Sequence, residues 1–234
     1  MSPFLSCALG SRNSRWPAAV PAVAHILRHG LDLKPGLTVV VGENGSGKST
    51  VVEILAEASG LNPQGGSVLA RYEDRVTEPR LGQHFVLERG VMRPRWSYFI
   101  RADTTHGLYT YLEEHQGSIT EPRYHELSHG EGFVSLVQTK MNEPGFYLLD
   151  EPDAALSFTS SLGLVAILDE LVKAGSQIIL ATHSPIIAAT PGATILELGD
   201  WGIRQTDWAD LALVQSWRAF LGDPRIYFRH LFDE

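Results

Sequence analysis

Nine consecutive residues carry the densest chemistry in the chain: Gly42-Glu43-Asn44-Gly45-Ser46-Gly47-Lys48-Ser49-Thr50. Their pattern, G-x-x-x-x-G-K-[ST], is the one a phosphate chain requires. Glycines let successive backbone N–H groups turn inward on an anion, where a β-carbon would clash. A helix that starts at Lys48 adds the positive end of its dipole. The Lys48 ammonium then reaches the outer phosphates, and the Ser49 hydroxyl is suited to ligate Mg²⁺. Gly42 to Thr50 are the candidate phosphate-binding residues.

A second acidic site follows about a hundred residues on. Asp150 ends the apolar run Phe146-Tyr147-Leu148-Leu149, so it sits at the C-terminal end of a buried strand, where α/β sheets bind ligands. It is suited to hold Mg²⁺ through a water. Glu151 follows it and is placed to polarise an attacking water as general base. His183 leaves a third buried run, Gln177 to Thr182, and is read as pointing at the terminal phosphate. Ser128-His129-Gly130-Glu131 is a helix start, with Glu131 three residues after a capping serine. His125 and His129, four residues apart, have no third ligand group near them in sequence, and metal binding there is rejected.

The elements that must position these groups are legible. Leu37-Thr38-Val39-Val40-Val41 is a β-branched run that predicts a strand leading into the phosphate loop. Lys48 to Ala58 predicts a helix with Val51, Val52, Leu55 and Ala58 inward, stopping at Gly60. A helix from Gly130-Glu131 precedes the Phe146 strand, and a longer one, with Leu164, Ile167, Leu168 and Leu171, precedes the Gln177 strand and stops at Gly175. Thr194 to Leu198 and Gly202 to Thr206 predict a hairpin. Asp207 to Phe220 predicts an amphipathic helix with Leu211, Val214 and Trp217 inward. Strands alternating with crossover helices imply an α/β fold with a mostly parallel sheet. The chain is read as one domain over 1–234, with an irregular, partly helical insertion over 61–125 that holds a strand candidate at Trp96-Ser97-Tyr98-Phe99-Ile100.

Composition excludes several classes. The 234 residues carry 19 basic and 27 acidic side chains, a formal charge of −8, with 44% hydrophobic residues, an ordinary globular balance. One cysteine, Cys7, makes no internal disulfide, so a stapled secreted scaffold is excluded and a cytoplasmic setting is expected. No apolar run approaches the roughly 20 residues that span a bilayer, so direct membrane insertion is not expected. The negative charge disfavours a chain coated in nucleic acid.

Taken in order, these motifs resemble those of the ABC-type ATPases. GENGSGKST is similar to Walker A, LSHGEG to the signature motif, FYLLDEP to Walker B with its catalytic glutamate, and ATHSP to the switch-histidine loop; Asp153 to Leu156 is similar to the D-loop. The wording LLDEPDAAL and ATHSPI more closely resembles small stand-alone bacterial ATPases, grouped with the AAA family and related to the heads of SbcC, RecF and SMC proteins. The resemblance implies a P-loop head without coiled-coil arms. It implies ATP and Mg²⁺ as ligands, with Glu151, His183 and Lys48 as catalytic residues and Ser49 and Asp150 at the metal. It also implies a nucleotide-dependent homodimer in which Ser128 and Gly130 of one subunit contact the γ-phosphate held by Lys48 of the other. Two departures stand out. His129 replaces the glycine usual in the signature motif, and no clear Q-loop is present, Gln83 being the candidate. Trp16 is read as a packed core residue rather than an adenine contact.

Three functions remain in play. The first is an ATP-driven dimer switch acting on DNA in repair or defence, supported by Arg71, Arg75, Arg80, Arg89, Arg93, Arg95 and Arg101 among the aromatics Tyr72, Phe85, Trp96 and Tyr98. The second is the ATP-hydrolysing subunit of a membrane transporter. The third is a slow ATP-binding regulatory clamp.

Overall fold

The apolar runs become strands because each alternates between two buried faces. A computed structural model describes residues 4–7, 19–67, 81–82, 85–88, 94–114, 122–229 and 231–232. In chain order come strand β1 (Phe4–Cys7), helix α1 (Pro21–His29), strands β2 (Leu31–Asp32) and β3 (Leu37–Gly42), helix α2 (Lys48–Ser59), strands β4 (Gly66–Ser67), β5 (Phe85–Glu88) and β6 (Trp96–Arg101), and helix α3 (Thr105–Glu114). Helix α4 (His129–Lys140), strand β7 (Gly145–Asp150), helix α5 (Phe158–Lys173), strand β8 (Gln177–Thr182) and helix α6 (Pro185–Ala188) follow. The hairpin β9 (Thr194–Gly199) and β10 (Gly202–Gln205) leads to helices α7 (Ala212–Gly222) and α8 (Arg225–Phe228).

Seven strands form one sheet in the order β10-β9-β3-β8-β7-β6-β4. The inner five, β9, β3, β8, β7 and β6, run parallel, and β10 and β4 are antiparallel edges. The fold is therefore α/β with a mostly parallel sheet. Val39, Val41, Leu149 and Leu180 pack with Leu136 of α4, Leu164 and Leu168 of α5 and Ile187 of α6. Their neighbours Val40, Leu148 and Ile179 pack on the opposite face, with Val51, Val52 and Leu55 of α2 and Val23 and Ile26 of α1. Slipping any central strand by one residue would exchange the two sets, so the alternation fixes the register. That register brings Arg101, Asp150 and Ala181 abreast, and sets Val41 beside Thr182. The C-terminal ends of β6, β7, β8 and β3 thus form one edge.

The strand expected over Trp96–Ile100, within 61–125, is present as β6, which lies beside β7 and buries Tyr98, Phe99 and Ile100. Two features differ from expectation. Trp217 points outward and is 47% exposed, whereas Leu211 and Val214 are buried. Six residues along an α-helix turn a side chain about 120° away from Leu211. A second, antiparallel sheet, β2-β1-β5, has no counterpart in the sequence reading. Among the described residues no helix is long and apolar enough to cross a membrane.

Candidate nucleotide-hydrolysis site

The loop between β3 and α2 is shaped around backbone rather than side chains. Gly47, with φ +94°, precedes α2, and a β-carbon there would stand 2.4 Å from Val20 Cγ1. A β-carbon on Gly42 would meet Ser46 Oγ at 2.6 Å and the Leu198 carbonyl at 2.7 Å. Glu43, Asn44 and Gly45 are exposed. No side chain caps the first turn of α2, which holds Ser49 and Thr50, and the buried Ser46 hydroxyl has no hydrogen-bond partner. An uncapped helix start and an orphaned donor suit a polyanion: the phosphate chain fits the loop on this chemistry.

Lys48, 4% exposed, turns back over the loop. Its Nζ donates to the Glu43 carbonyl at 3.2 Å and lies 2.7 Å from His183 Nε2 and 3.8 Å from Glu151 Oε1. The same His183 Nε2 is 3.3 Å from Glu151 Oε1. One ring nitrogen cannot accept from Lys48 and donate to Glu151 at once, so these two hydrogen bonds are alternatives. Burial holds the Lys48 ammonium below its usual value, and Glu151, Asp150 and Asp153 oppose that shift.

Glu151 is the only non-glycine residue with positive φ (51°) among those described. Left-handed backbone costs about 1–2 kcal/mol for a residue with a β-carbon. Here it ends β7 sharply: Glu151 N–H donates to the Ala181 carbonyl at 2.9 Å, and a 3₁₀ turn follows from Pro152 to Ala155. The turn brings Asp153 under β8, where it accepts from the Thr182 hydroxyl and from His183 N–H at 3.3 Å. Asp153 therefore fixes the backbone that carries His183. The D-loop resemblance flagged this residue without giving it that task.

Asp150 is 4% exposed and accepts from Ser49 Oγ at 3.1 Å. Burial pushes its carboxyl up to about 6, against the opposing pull of Arg101 and the Ser49 hydrogen bond. A hydroxyl facing a carboxylate, both hard oxygen donors, fits Mg²⁺, which takes few protein ligands and completes its shell with phosphate and water. Among the described residues no cluster of three or more His, Cys, Asp or Glu is arranged as a metal cage.

The neighbour that sequence reading missed is Arg101. Counted there only among the insertion's arginines, it lies instead at the sheet edge, paired with Glu53 and Asp103 and 3.6 Å from Asp150 Oδ2. The available signal was its position, directly after an apolar strand, as Asp150 is.

The signature segment stands apart. Ser128 caps α4 by accepting from Glu131 N–H at 3.4 Å, while Glu131 accepts from Ser128 N–H at 3.1 Å. Ser128 and His129 are exposed. A β-carbon on Gly130 would stand 3.0 Å from the Ala155 carbonyl, so α4 starts hard against the turn that follows Glu151. Gln83, Trp16, Arg71, Tyr72, Arg75, Arg80, Arg89 and Arg93 lie outside the described residues.

The chain is 27% identical over 185 residues to the macrolide export ATP-binding/permease protein MacB 1 of Yersinia pestis bv. Antiqua, covering 70% of this chain and 28% of that protein. It is 33% identical over 199 residues to the pyoverdine export ATP-binding/permease protein PvdT of Pseudomonas fluorescens, covering 75% of this chain and 30% of that one. The chain thus spans less than a third of either relative's length. In structure it is similar to a protein described as a metal-chelate type ABC transporter in an inward-facing conformation, with TM-score 0.53, 16% identity, and 95% of this chain and 90% of that chain covered. These matches correct the finer resemblance: they give no support to an SbcC, RecF, SMC or AAA grouping, or to work in DNA repair. The ABC transporter family profile matches residues 28–154, and the chain belongs to that family, as an ATP-binding and ATP-hydrolysing domain.

Proposed function

We propose that this domain is the ATP-hydrolysing motor of an export system whose membrane-crossing part is a separate segment or chain. The observation that carries the catalytic half is the meeting of Lys48, His183 and Glu151 within 3.8 Å of one another, beside the Ser49–Asp150 pair. The export half rests on likeness to MacB 1 and PvdT, both named as ATP-binding/permease proteins.

In this reading the N–H groups of Gly42 to Thr50 cradle the phosphates and Lys48 exchanges its internal partners for the outer ones. Ser49 and Asp150 would hold Mg²⁺, which would neutralise charge on the phosphate oxygens. Glu151 takes a proton from the attacking water as the water's oxygen bonds to the γ-phosphorus and the bond to ADP breaks. His183, steadied through Asp153, orients the γ-phosphate. Ser128 and Gly130 of a second copy close the site head to tail, so ATP favours the closed pair and its hydrolysis withdraws that preference.

The nucleic-acid reading has lost ground at Arg101, whose guanidinium is engaged by carboxylates of its own chain. The decisive experiment measures ATP turnover of the purified chain with and without DNA over a salt series. Turnover indifferent to DNA, together with an ATP-dependent dimer for Glu151→Gln on size exclusion, is the expected result. Stimulation by DNA that fades with salt would overturn the export reading, and wild-type turnover by Glu151→Gln would remove Glu151 as the base.

A further inference from the structure

Arg101 has no task in the hydrolysis scheme, yet its side chain is only 13% exposed and reaches three parts of the chain. Its Nη1 pairs with Glu53 of α2 and points to the Pro63 carbonyl at 3.4 Å. Its Nε and Nη2 hold both oxygens of Asp103 at 3.0 Å, and Nε lies 3.6 Å from Asp150 Oδ2. Glu53 and Ser49 stand four residues apart on α2, on one face of the helix. The two oxygens of Asp150 are therefore addressed from opposite sides, by Ser49 from α2 and by Arg101 from β6. Arg101 in turn grips α2 one turn beyond Ser49. Strand register makes the arrangement systematic, since Arg101 and Asp150 are direct neighbours across β6 and β7, and Ala102 N–H donates to the Asp150 carbonyl at 3.1 Å.

We propose that Arg101 is a positioning residue for the divalent-cation site. It locks the Asp150 carboxylate and the Ser49 turn of α2 into one unit, so that both oxygens are presented in a single arrangement. Only a planar fork with several donors serves Glu53, Asp103 and Asp150 together, which a lysine ammonium does not. A plain surface ion pair would need only Glu53 or Asp103; the approach to Asp150 is what ties Arg101 to the site. The proposal rests on Asp150 being the carboxylate of the cation site.

The test titrates Mn²⁺, read by electron paramagnetic resonance, into the chain with a non-hydrolysable ATP analogue. Replacement of a group that orients a metal ligand typically weakens metal affinity or activity about 10–100-fold. Arg101→Gln is expected to weaken Mn²⁺ about tenfold and lower kcat by a similar factor, while nucleotide affinity in EDTA stays within about twofold; Arg101→Lys should recover part of the loss. Glu53→Gln, which frees the α2 end without touching Asp150, should weaken Mn²⁺ in the same direction. Should Arg101→Gln not fold, Arg101→Lys and Glu53→Gln decide the question: wild-type Mn²⁺ affinity in both overturns the proposal. Asp150→Asn separates the two claims. Its loss of Mn²⁺ binding, with Arg101 and Glu53 variants unchanged, sinks the Arg101 proposal alone; wild-type Mn²⁺ affinity in Asp150→Asn sinks both.

Discussion

Two helix N-termini in this molecule are suited to phosphate, and they are furnished in opposite ways. Around the start of α2 the groups are already joined by contacts that span the chain: Lys48 to His183, Ser49 to Asp150, Lys48 to Glu151. At the start of α4 the capping contacts are local. Ser128 and Glu131 satisfy each other within one turn, and Ser128 and His129 are exposed. The first site is assembled by the register of a parallel sheet around the buried Lys48 and Asp150. The second is assembled by four consecutive residues and is open on its outer side. This contrast supports a division of labour in which one end holds nucleotide in cis and the other serves a neighbouring copy.

The sharpest way to break the comparison is at the buried end. Lys48→Ala removes the ammonium that faces Glu151 and His183, and should lower turnover about 10³-fold, with nucleotide affinity reduced in a direct binding assay. Glu151→Gln removes the proton acceptor but keeps shape and should cost about 10² in kcat while ATP still binds. If Glu151→Gln instead loses ATP binding and leaves residual kcat unchanged, the base assignment fails and the residue is a binding group.

Asp150 tests whether the buried end is costly to build. In protein free of nucleotide and metal its carboxyl titrates near 6, against 3.8 as the ordinary value. Between those values the folded chain keeps a proton that the unfolded chain has lost, so this group's contribution to stability falls as pH rises from about 4 to about 6 and is level above that. A shift of about two units corresponds to at most about 3 kcal/mol. Asp150→Asn should therefore gain stability over wild type across that window and keep the gain at pH 7.5, read as the difference in denaturant-unfolding free energy. A pH-independent difference would mean that Arg101 and Ser49 already offset the burial of the charge.

The same contrast explains what sequence made legible. Lys48, Asp150, Glu151 and His183 were readable because each follows an apolar strand or glycine loop whose pattern is strong over five or six residues. Ser128 was readable because a capping box is a four-residue signal. The strand before Arg101 was readable too, but its task was not, because the guanidinium joins Glu53 of α2 to Asp150 of β7, segments far apart in the chain. Asp153 was visible as a motif letter, but its grip on His183 N–H depends on the left-handed backbone at Glu151, which no local pattern announces. Trp217 went astray through helical phase, a drift that grows with each three-residue step.

Smaller effects belong to the exposed end. Ser128→Ala should lower turnover about tenfold, with ATP affinity of the single chain unchanged, because a hydroxyl to a charged group is worth about 1.5–3 kcal/mol at most and the helix start remains. Mixing Lys48→Ala with Ser128→Ala separates the two ends further. A head-to-tail pair would then hold one intact composite site, so the mixture should exceed the mean of the two separate preparations; strict additivity of rates would exclude trans contact.

The smallest effect is expected at His129. It is exposed between Ser128 and Gly130, at a helix start where the Ala155 carbonyl stands 3.0 Å from where a Gly130 β-carbon would be, so the prediction is that bulk at position 129 hinders an approaching phosphate. His129→Gly should raise ATP-dependent dimer formation about two- to threefold, a gain limited by the poorer helix propensity of glycine, about 0.5–1 kcal/mol. His129→Lys distinguishes crowding from charge: it keeps the bulk and adds a fixed cation. Tighter dimers with lysine and weaker ones with glycine would mean that residue 129 attracts the anion rather than obstructing it, and the exposed end would then be more like the buried one than its local contacts suggest.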